Sequence, residues 1–541
     1  MKYILLVISF FIATISFAQN KKPQKIKYRH ADVHKFDSKI DAEAQMMVGH
    51  VEFEHGGSIL SCDSAVFYQG KNTMRAFGDV EINQGDTLHV YSQYLEYNGN
   101  TKLAVVYDKV KLVDSKMTLT TDTIHFDRNK QIAYYPAFGK VEDEENVLTS
   151  IIGTYYTAEK KLVFTSDVTV TNEKYIMKSD HLTYYTGPKT VYFYGPSTIT
   201  SDDNFIYCEN GFYDTKNEIS YFKKNSFIRY GNQTLEGDSL YYNRNTGFGS
   251  ASKNIIVNDT TKNIIIKGEY AEYFEKEDST FVTDRALAIN IMKQDSVFIH
   301  GDTLMMTVLP HSQNRLMRIF HNVKIFKLDM QGKCDSLTYN EYKGEMKMLY
   351  DPVLWSGKNQ LTSDTIIVTT NTLTQKLDSL KLLKNGFIIS NDTIENYNQI
   401  KGKDIYGKFK NDELHLINVV GNSETLYYAR NEKKELIGIN KAISSSMLIK
   451  LKDNEINEIS FIQEPEAELS PEETIPDNAR KLKGFVWRDE ERFHEKEDIF
   501  LIDPLNSDET ENIKSLEKPK ESATIESEPK KGKQLNEKLK K

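Results

Sequence analysis

Three cysteines, twelve histidines and a recurring aspartate are the residues of this 541-residue chain whose types could do chemistry. Thiols serve as nucleophiles, metal ligands or disulfide halves, and His or carboxylate clusters hold metals or move protons. Their spacing argues against each use. Cys62, Cys208 and Cys334 stand one residue before the same short motif in distant parts of the chain. In a linear stack of repeats they would lie far beyond the ~7 Å Cα separation a disulfide tolerates, so they read as small buried thiols. The histidines form no His-Glu-x-x-His, His-x-His or Cys/His pattern, and neither a metal nor a cofactor is assigned. Gly-x-Ser-x-Gly, the Walker loop and the dinucleotide fingerprint are missing, so no catalytic residue is assigned and the chain reads as a non-enzyme. The aspartate recurs at 63, 122, 180, 238, 302, 335 and 364, but Gln93, Ile151 and Lys403 replace it in other copies. A calcium ladder would need short Gly-Gly-x-Gly-x-Asp units, so a carboxylate that ends a turn or meets backbone amides at a strand start is the better reading.

The motif behind these residues is Asp-x-apolar-x-aromatic, seen at Asp63–Phe67, Asp122–Phe126, Asp180–Tyr184 and Asp238–Tyr242 and, less strictly, at Gln93–Tyr97 and Glu209–Tyr213. Weaker copies begin at Ile151, Glu269, Asp302, Asp335, Asp364 and Lys403, giving twelve anchors spaced 29 or 30 residues apart at first and 29 to 39 later. A second alternating run follows each anchor, as in Gly78-Asp79-Val80-Glu81-Ile82, Asp108-Lys109-Val110-Lys111-Leu112 and Asp167-Val168-Thr169-Val170. Alternation of this kind marks strands with one buried face. Clusters such as Asn98-Gly99-Asn100 and Asn243-Arg244-Asn245-Thr246-Gly247 supply the turns. So small a unit cannot bury its own apolar face, and neighbours must stack around one shared core. The expectation is all-β: an elongated, solenoid-like stack of ~29-residue units. Drift in the later repeats marks where loops or a docking surface should be sought.

Both ends differ from this pattern. Lys2, an apolar run over 3–17 and Ser16-Phe17-Ala18 before Gln19 read as a cleaved secretory signal, residues 1–18. Residues 19–45 form a lead-in, 46–430 the repeat domain and 431–463 terminal strands or a cap. From 464 to 541 the Glu/Lys/Ser/Pro-rich composition predicts a charged, mostly disordered tail, with Gly484–Arg488 an apolar island in it. A net charge of −9 and pI near 5.8 argue against a general nucleic-acid binder.

Asp63-Ser64-Ala65-Val66-Phe67-Tyr68, Phe77-Gly78-Asp79-Val80-Glu81-Ile82, Leu119-Thr120-Thr121-Asp122 and Gly484-Phe485-Val486-Trp487-Arg488 resemble the OstA-like, LptA-related proteins of Bacteroidota. The resemblance spans roughly 28–430 and rests on the repeated strand grammar. It implies a V-shaped β-jellyroll in the periplasm, peripheral to the outer membrane, whose apolar groove shields the acyl chains of lipopolysaccharide on the way there. It also implies end-to-end strand addition with other jellyroll proteins of the transport system and delivery to the outer-membrane translocon. This chain departs by its length and its charged tail, and nothing after 463 suits a membrane barrel.

With the resemblance, the inward positions become groove candidates: Phe67, Leu95, Tyr97, Ile124, Phe126, Leu182, Tyr184, Tyr213, Leu240, Tyr242, Leu304, Leu337 and Tyr339 along the anchor strands. Val80, Ile82, Val110, Leu112, Val168 and Val170 would face them from the opposing wall. The competing reading is an exported structural or carbohydrate-binding β-solenoid with a sealed core and aromatic sites on its surface.

Overall fold

Each period folds as a hairpin of two long strands, for example Ser58–Tyr68 with Thr73–Gln84, then Leu88–Asn98 with Leu103–Asp114. The computed structural model describes residues 25–501 apart from breaks at 37–42, 86–87, 115–116, 203, 293–294, 313, 375, 394, 412, 432 and 453–454. The expected signal segment and residues 502–541 of the expected tail lie outside the described residues. Thirty-six described strands join in one sheet, and the chain is all-β apart from short 3-10 turns. Successive hairpins add strands in sequence order with antiparallel pairing, so the sheet grows along one axis.

A crease runs down the middle of this sheet. Val48 pairs with Ser64 and Val51 with Cys62, leaving Gly49 and His50 opposite Asp63 alone, and equivalent register shifts recur at each hairpin. The extra residues take left-handed backbone conformations: Gly78 and Asp79 at φ 72° and 36°, Asp108 and Lys109 at 64° and 53°, Lys253 and Asn254 at 62° and 54°. A bulge of this kind bends its strand sharply, and a line of bulges folds the whole sheet. The Gly-Asp-Val-x-Ile run seen in the sequence is therefore a bulge followed by a wall.

The strand beside each bulge carries the anchor. Its preceding small residue turns into the crease and donates to the carbonyl two residues on: Cys62 Sγ to Ser64 O at 3.3 Å, Ser92 Oγ to Tyr94 O at 3.1 Å, Ser179 Oγ to His181 O at 2.9 Å, Cys334 Sγ to Ser336 O at 3.3 Å. Cys62, Cys208 and Cys334 are free and buried, and burial pushes their pKa values up to about 12, 11 and 12. Anchor carboxylates instead lie on the outside of the bend, where bulge asparagines donate to them: Asn254 to Asp238, Asn322 to Asp302, Asn385 to Asp364, at 3.2, 2.9 and 3.0 Å. At Gly78 a Cβ would come within 2.4 Å of the Asp63 carboxylate, so glycine lets that carboxylate close over the bulge. The recurring aspartate is a fastener of the crease.

The crease divides every strand between two walls. Wall I contains residues such as 51–55, 80–84 and 110–114, and wall II contains 64–68, 73–77 and 94–98. At the wall II rim the hairpin turns hydrogen-bond to one another. Gly99 N donates to Asn72 O, Arg128 N to Lys102 O, Thr157 N to Gln131 O, Thr186 N to Lys160 O and Thr215 N to Lys189 O, at 2.8–3.2 Å. The accepting residues all have positive φ, and an Asp or Asn at the turn start, as Asn98, Asp127 or Asp214, holds the loop by accepting from the two following turn amides. Only the unit at 132–156 breaks the pattern among the first seven. There the strands split into Ile132–Tyr135, Gly139–Glu142, Asn146–Ser150 and Ile152–Tyr156, and the Tyr135 ring fills space that a Cβ on Gly139 or Gly153 would occupy.

Residues 466–501 depart from the expected flexible tail. Glu466–Ser470 adds to the sheet against Leu436–Lys452, and 471–501 then runs as a strap across the outer face of wall I, over the irregular later repeats. Three buried glutamines on that face hold the strap, two through its backbone and one through an arginine side chain. Gln399 donates to Arg480 O and accepts from Leu482 N, Gln360 donates to Val486 O and accepts from Arg488 N, and Gln331 accepts from Arg492 Nε, all at 2.6–2.8 Å. Between them Leu482, Phe485, Trp487, Phe493 and Ile499 pack on Phe387, Tyr428, Trp355 and Phe326. The apolar island thus docks on the chain's own flank, and composition misleads because the glutamines satisfy the strap's backbone.

Candidate functional site

The two walls face each other. His55 ends a wall I strand and Tyr97 lies at the far end of a wall II strand three strands on. In a flat sheet they would be about 30 Å apart. Their side chains are hydrogen-bonded at 2.6 Å. Arg128, from a wall II turn, donates to the carbonyls of His55 and Gly56 at the wall I rim, at 2.7 and 2.5 Å. Tyr155 OH of wall II donates to Asp114 of wall I at 2.9 Å, and Lys262 of the wall I rim pairs with Glu341 of wall II at 2.8 Å. These contacts staple the rims together at intervals along the stack. Burial raises the pKa of the Tyr97 and Tyr155 hydroxyls, and Asp114 raises Tyr155 further.

Between the walls runs one continuous apolar cluster from Ile26 to Ile449. Of the residues singled out by alternation, Phe67, Val80, Leu95, Val110, Leu112, Ile124, Val168, Leu182, Leu240, Leu304 and Leu337 are buried within it. Ile82, Tyr97, Phe126, Val170, Tyr184, Tyr213 and Tyr339 pack against it half-buried, and Tyr242 sits outside it with its hydroxyl donating to Glu275 at 2.7 Å. The interior therefore has two layers: a sealed one along the crease and a looser one, rich in tyrosine, toward the rims. A small apolar cavity opens between the walls at the split unit, lined by Leu112, Leu119, Tyr135, Tyr155 and Phe164 among others.

Several buried interior residues escaped the sequence reading. Met74, Ala76, Val106, Leu162, Phe164, Phe193 and Phe222 occupy the wall II half of the bulged strands. Their signal was the alternation immediately before each bulge, as in Leu162-Val163-Phe164, which keeps its phase across the two extra residues into Val168 and Val170.

The strap over wall I is locked by charge as well as by apolar packing. Arg488 pairs with Glu491 at 2.6 Å, and Lys333 on the sheet reaches the same carboxylate at 2.7 Å. Arg488 first, then Lys333, hold the Glu491 carboxyl down at about 2 from its usual 4.5. A depressed carboxyl stabilises the docked state above its unfolded pKa and loses that contribution as pH falls through the folded one. Protection of the amides over 481–500, taken relative to their intrinsic exchange rate at each pH, is therefore expected to fall from pH 4.5 toward pH 2, and Glu491→Gln to flatten that dependence. Protection in the parent chain that does not change over this pH range would contradict the latch.

Comparison with known proteins finds a family model over part of the chain and a set of solved structures. Twelve solved chains match, among them LptH of Pseudomonas aeruginosa, described as the LptA-homologous periplasmic component of the conserved lipopolysaccharide transport device. It is 16% identical, the alignment covers 19% of this chain and 79% of that one, and the TM-score is 0.18. No curated protein matches. The family described as OstA-like protein matches residues 23–180, from the lead-in through the split unit to the anchor strand that follows it, and that stretch of the chain is similar to the OstA-like family.

Proposed function

We propose that this protein is a non-enzymatic carrier of lipopolysaccharide in the periplasm, holding acyl chains between its two walls and passing them toward the outer membrane. The observation that carries the reading is the unbroken apolar interior shared by successive near-equivalent hairpins, with its half-buried tyrosine-rich layer beneath stapled rims. Each CH2 moved from water into such a space gains about 0.8 kcal/mol. Movement between equivalent hairpins leaves that gain almost unchanged, so transit needs no chemistry. The OstA-like segment supports the same job. Terminal edges at Lys27–His30 and Glu455–Ile462 expose unpaired backbone, which favours strand addition by other jellyroll components and by the translocon.

The alternative of a carbohydrate-binding solenoid draws on the outer face of wall II. There Tyr192, Phe212, Tyr221 and Tyr241 form a ladder with ring centroids 5.8–6.3 Å apart. Cross-strand pairs of this kind also stabilise a sheet. Purification of the protein from gently solubilised envelopes, followed by mass spectrometry of the extract, tests both. Co-purifying lipopolysaccharide is the expected result. Glycan without any acylated lipid would move the reading to the outer ladder.

A further inference from the structure

The two rims of the folded sheet carry opposite charge where the wall II turns 156–161 and 185–190 face Asp114 and the split unit. The wall II turns at 69–72, 98–102, 127–131, 156–161 and 185–190 hold seven Lys or Arg against two carboxylates, in a chain whose net charge is −9. Across from the last two of these turns, placed by the Tyr155–Asp114 contact and by the action of Asp143 on the Tyr184 hydroxyl, wall I contributes Asp114, Glu142, Asp143, Glu144 and Glu145, whereas turns 98–131 look onto His55 and Gly56. Three of the cations, Lys102, Lys160 and Lys189, occupy one structural position, the positive-φ residue at the end of each wall II turn, with φ of 58°, 50° and 59°. That position is fixed twice over, because the same residue's carbonyl accepts from the next turn. No ion pair engages these three lysines among the described residues, whereas Arg128 is committed to the wall I carbonyls.

We propose that the wall II rim binds the anionic headgroup of a phosphate-bearing lipid whose acyl chains enter between the walls. The inference rests on the acyl-binding reading above and adds the headgroup chemistry and the orientation. A phosphate at the rim meets the lysine row and is repelled from the carboxylates of wall I, so the ligand lies one way across the groove. Successive turns are two strands apart, about 10 Å. That is close to the Debye length of about 8 Å at physiological salt, so a headgroup leaving Lys160 already feels Lys189, while Gln131 takes the place between Lys102 and Lys160 and Lys130 of that turn supplies the intervening charge.

The test uses the full mature chain and two probes of equal chain length, a monoacyl glycerophosphate and the corresponding monoacylglycerol, in equilibrium binding below their micelle concentrations. The phosphate ligand is expected to bind at least tenfold more tightly at low salt, with the advantage shrinking in high salt. The triple change Lys102→Asn, Lys160→Asn, Lys189→Asn should bring it down to the affinity of the uncharged ligand. Asparagine suits the backbone, since Asn72 holds the equivalent place at φ 55°. Equal binding of both probes to the parent chain, or an unchanged preference in the triple variant, overturns the headgroup site and leaves the acyl groove standing. Binding of neither probe overturns both.

Discussion

Replacing Trp355 by alanine is expected to accelerate amide exchange in the strands Leu377–Thr393 and Asn396–Lys410 by about two orders of magnitude or more, while Leu88–Asn98 and Met117–Asp127 change little. Trp355 is fully buried, edge-on to Phe493 of the strap, in the middle of the face that the strap covers. Truncating such a ring costs about 3–5 kcal/mol, and each 1.4 kcal/mol is tenfold in the opened population. The regular hairpins have no strap and open on their own scale. Its Nε1 has no partner among the described residues, so Trp355→Phe keeps the packing and removes an unsatisfied donor. That variant is expected to cost under about 1.5 kcal/mol. Uniform acceleration along the whole chain would show that the strap is not a local brace.

Loosening the rim should act on the ligand instead. Arg128→Ala is expected to speed entry of a fluorescent long-chain fatty acid about tenfold in stopped flow, with a stability loss near 1 kcal/mol. The guanidinium makes two charge-assisted hydrogen bonds to the wall I rim beside the His55–Tyr97 contact. Water replaces them partly once the rim opens, which is why the net value is a fraction of the ~1.5–3 kcal/mol such bonds are worth. Lys130→Ala, in the same turn but with its side chain 73% exposed and paired only to Asp127 of that turn, provides the control. A stability loss without faster entry would mean the walls do not part at this staple.

How much of this was legible beforehand differs by element. The hairpins were, because a strand period of two inside a period of about 29 leaves few other folds. Which residues point inward followed from the same alternation, as Phe67, Leu95 and Leu182 illustrate. The crease was half legible. Gly78-Asp79 announces a bulge, but Asp108-Lys109 and Lys253-Asn254 adopt the same left-handed pair without glycine, held by the neighbouring strand's anchor and register. The two layers of the interior were not legible, since depth depends on how far the opposing wall stands from each residue. The strap was missed for a related reason: Gln331, Gln360 and Gln399 look like solvent-facing polar residues until a distant segment supplies their partners.

Site-specific photocrosslinking in living cells tests the central claim most directly. A photoreactive residue at Tyr97 or Phe126, half-buried between the walls, is predicted to capture lipopolysaccharide, and one at Glu96, exposed on the outer face beside Tyr97, is predicted not to. Lipid captured only from Glu96 and other outward positions, with none from the interior pair, would contradict the groove.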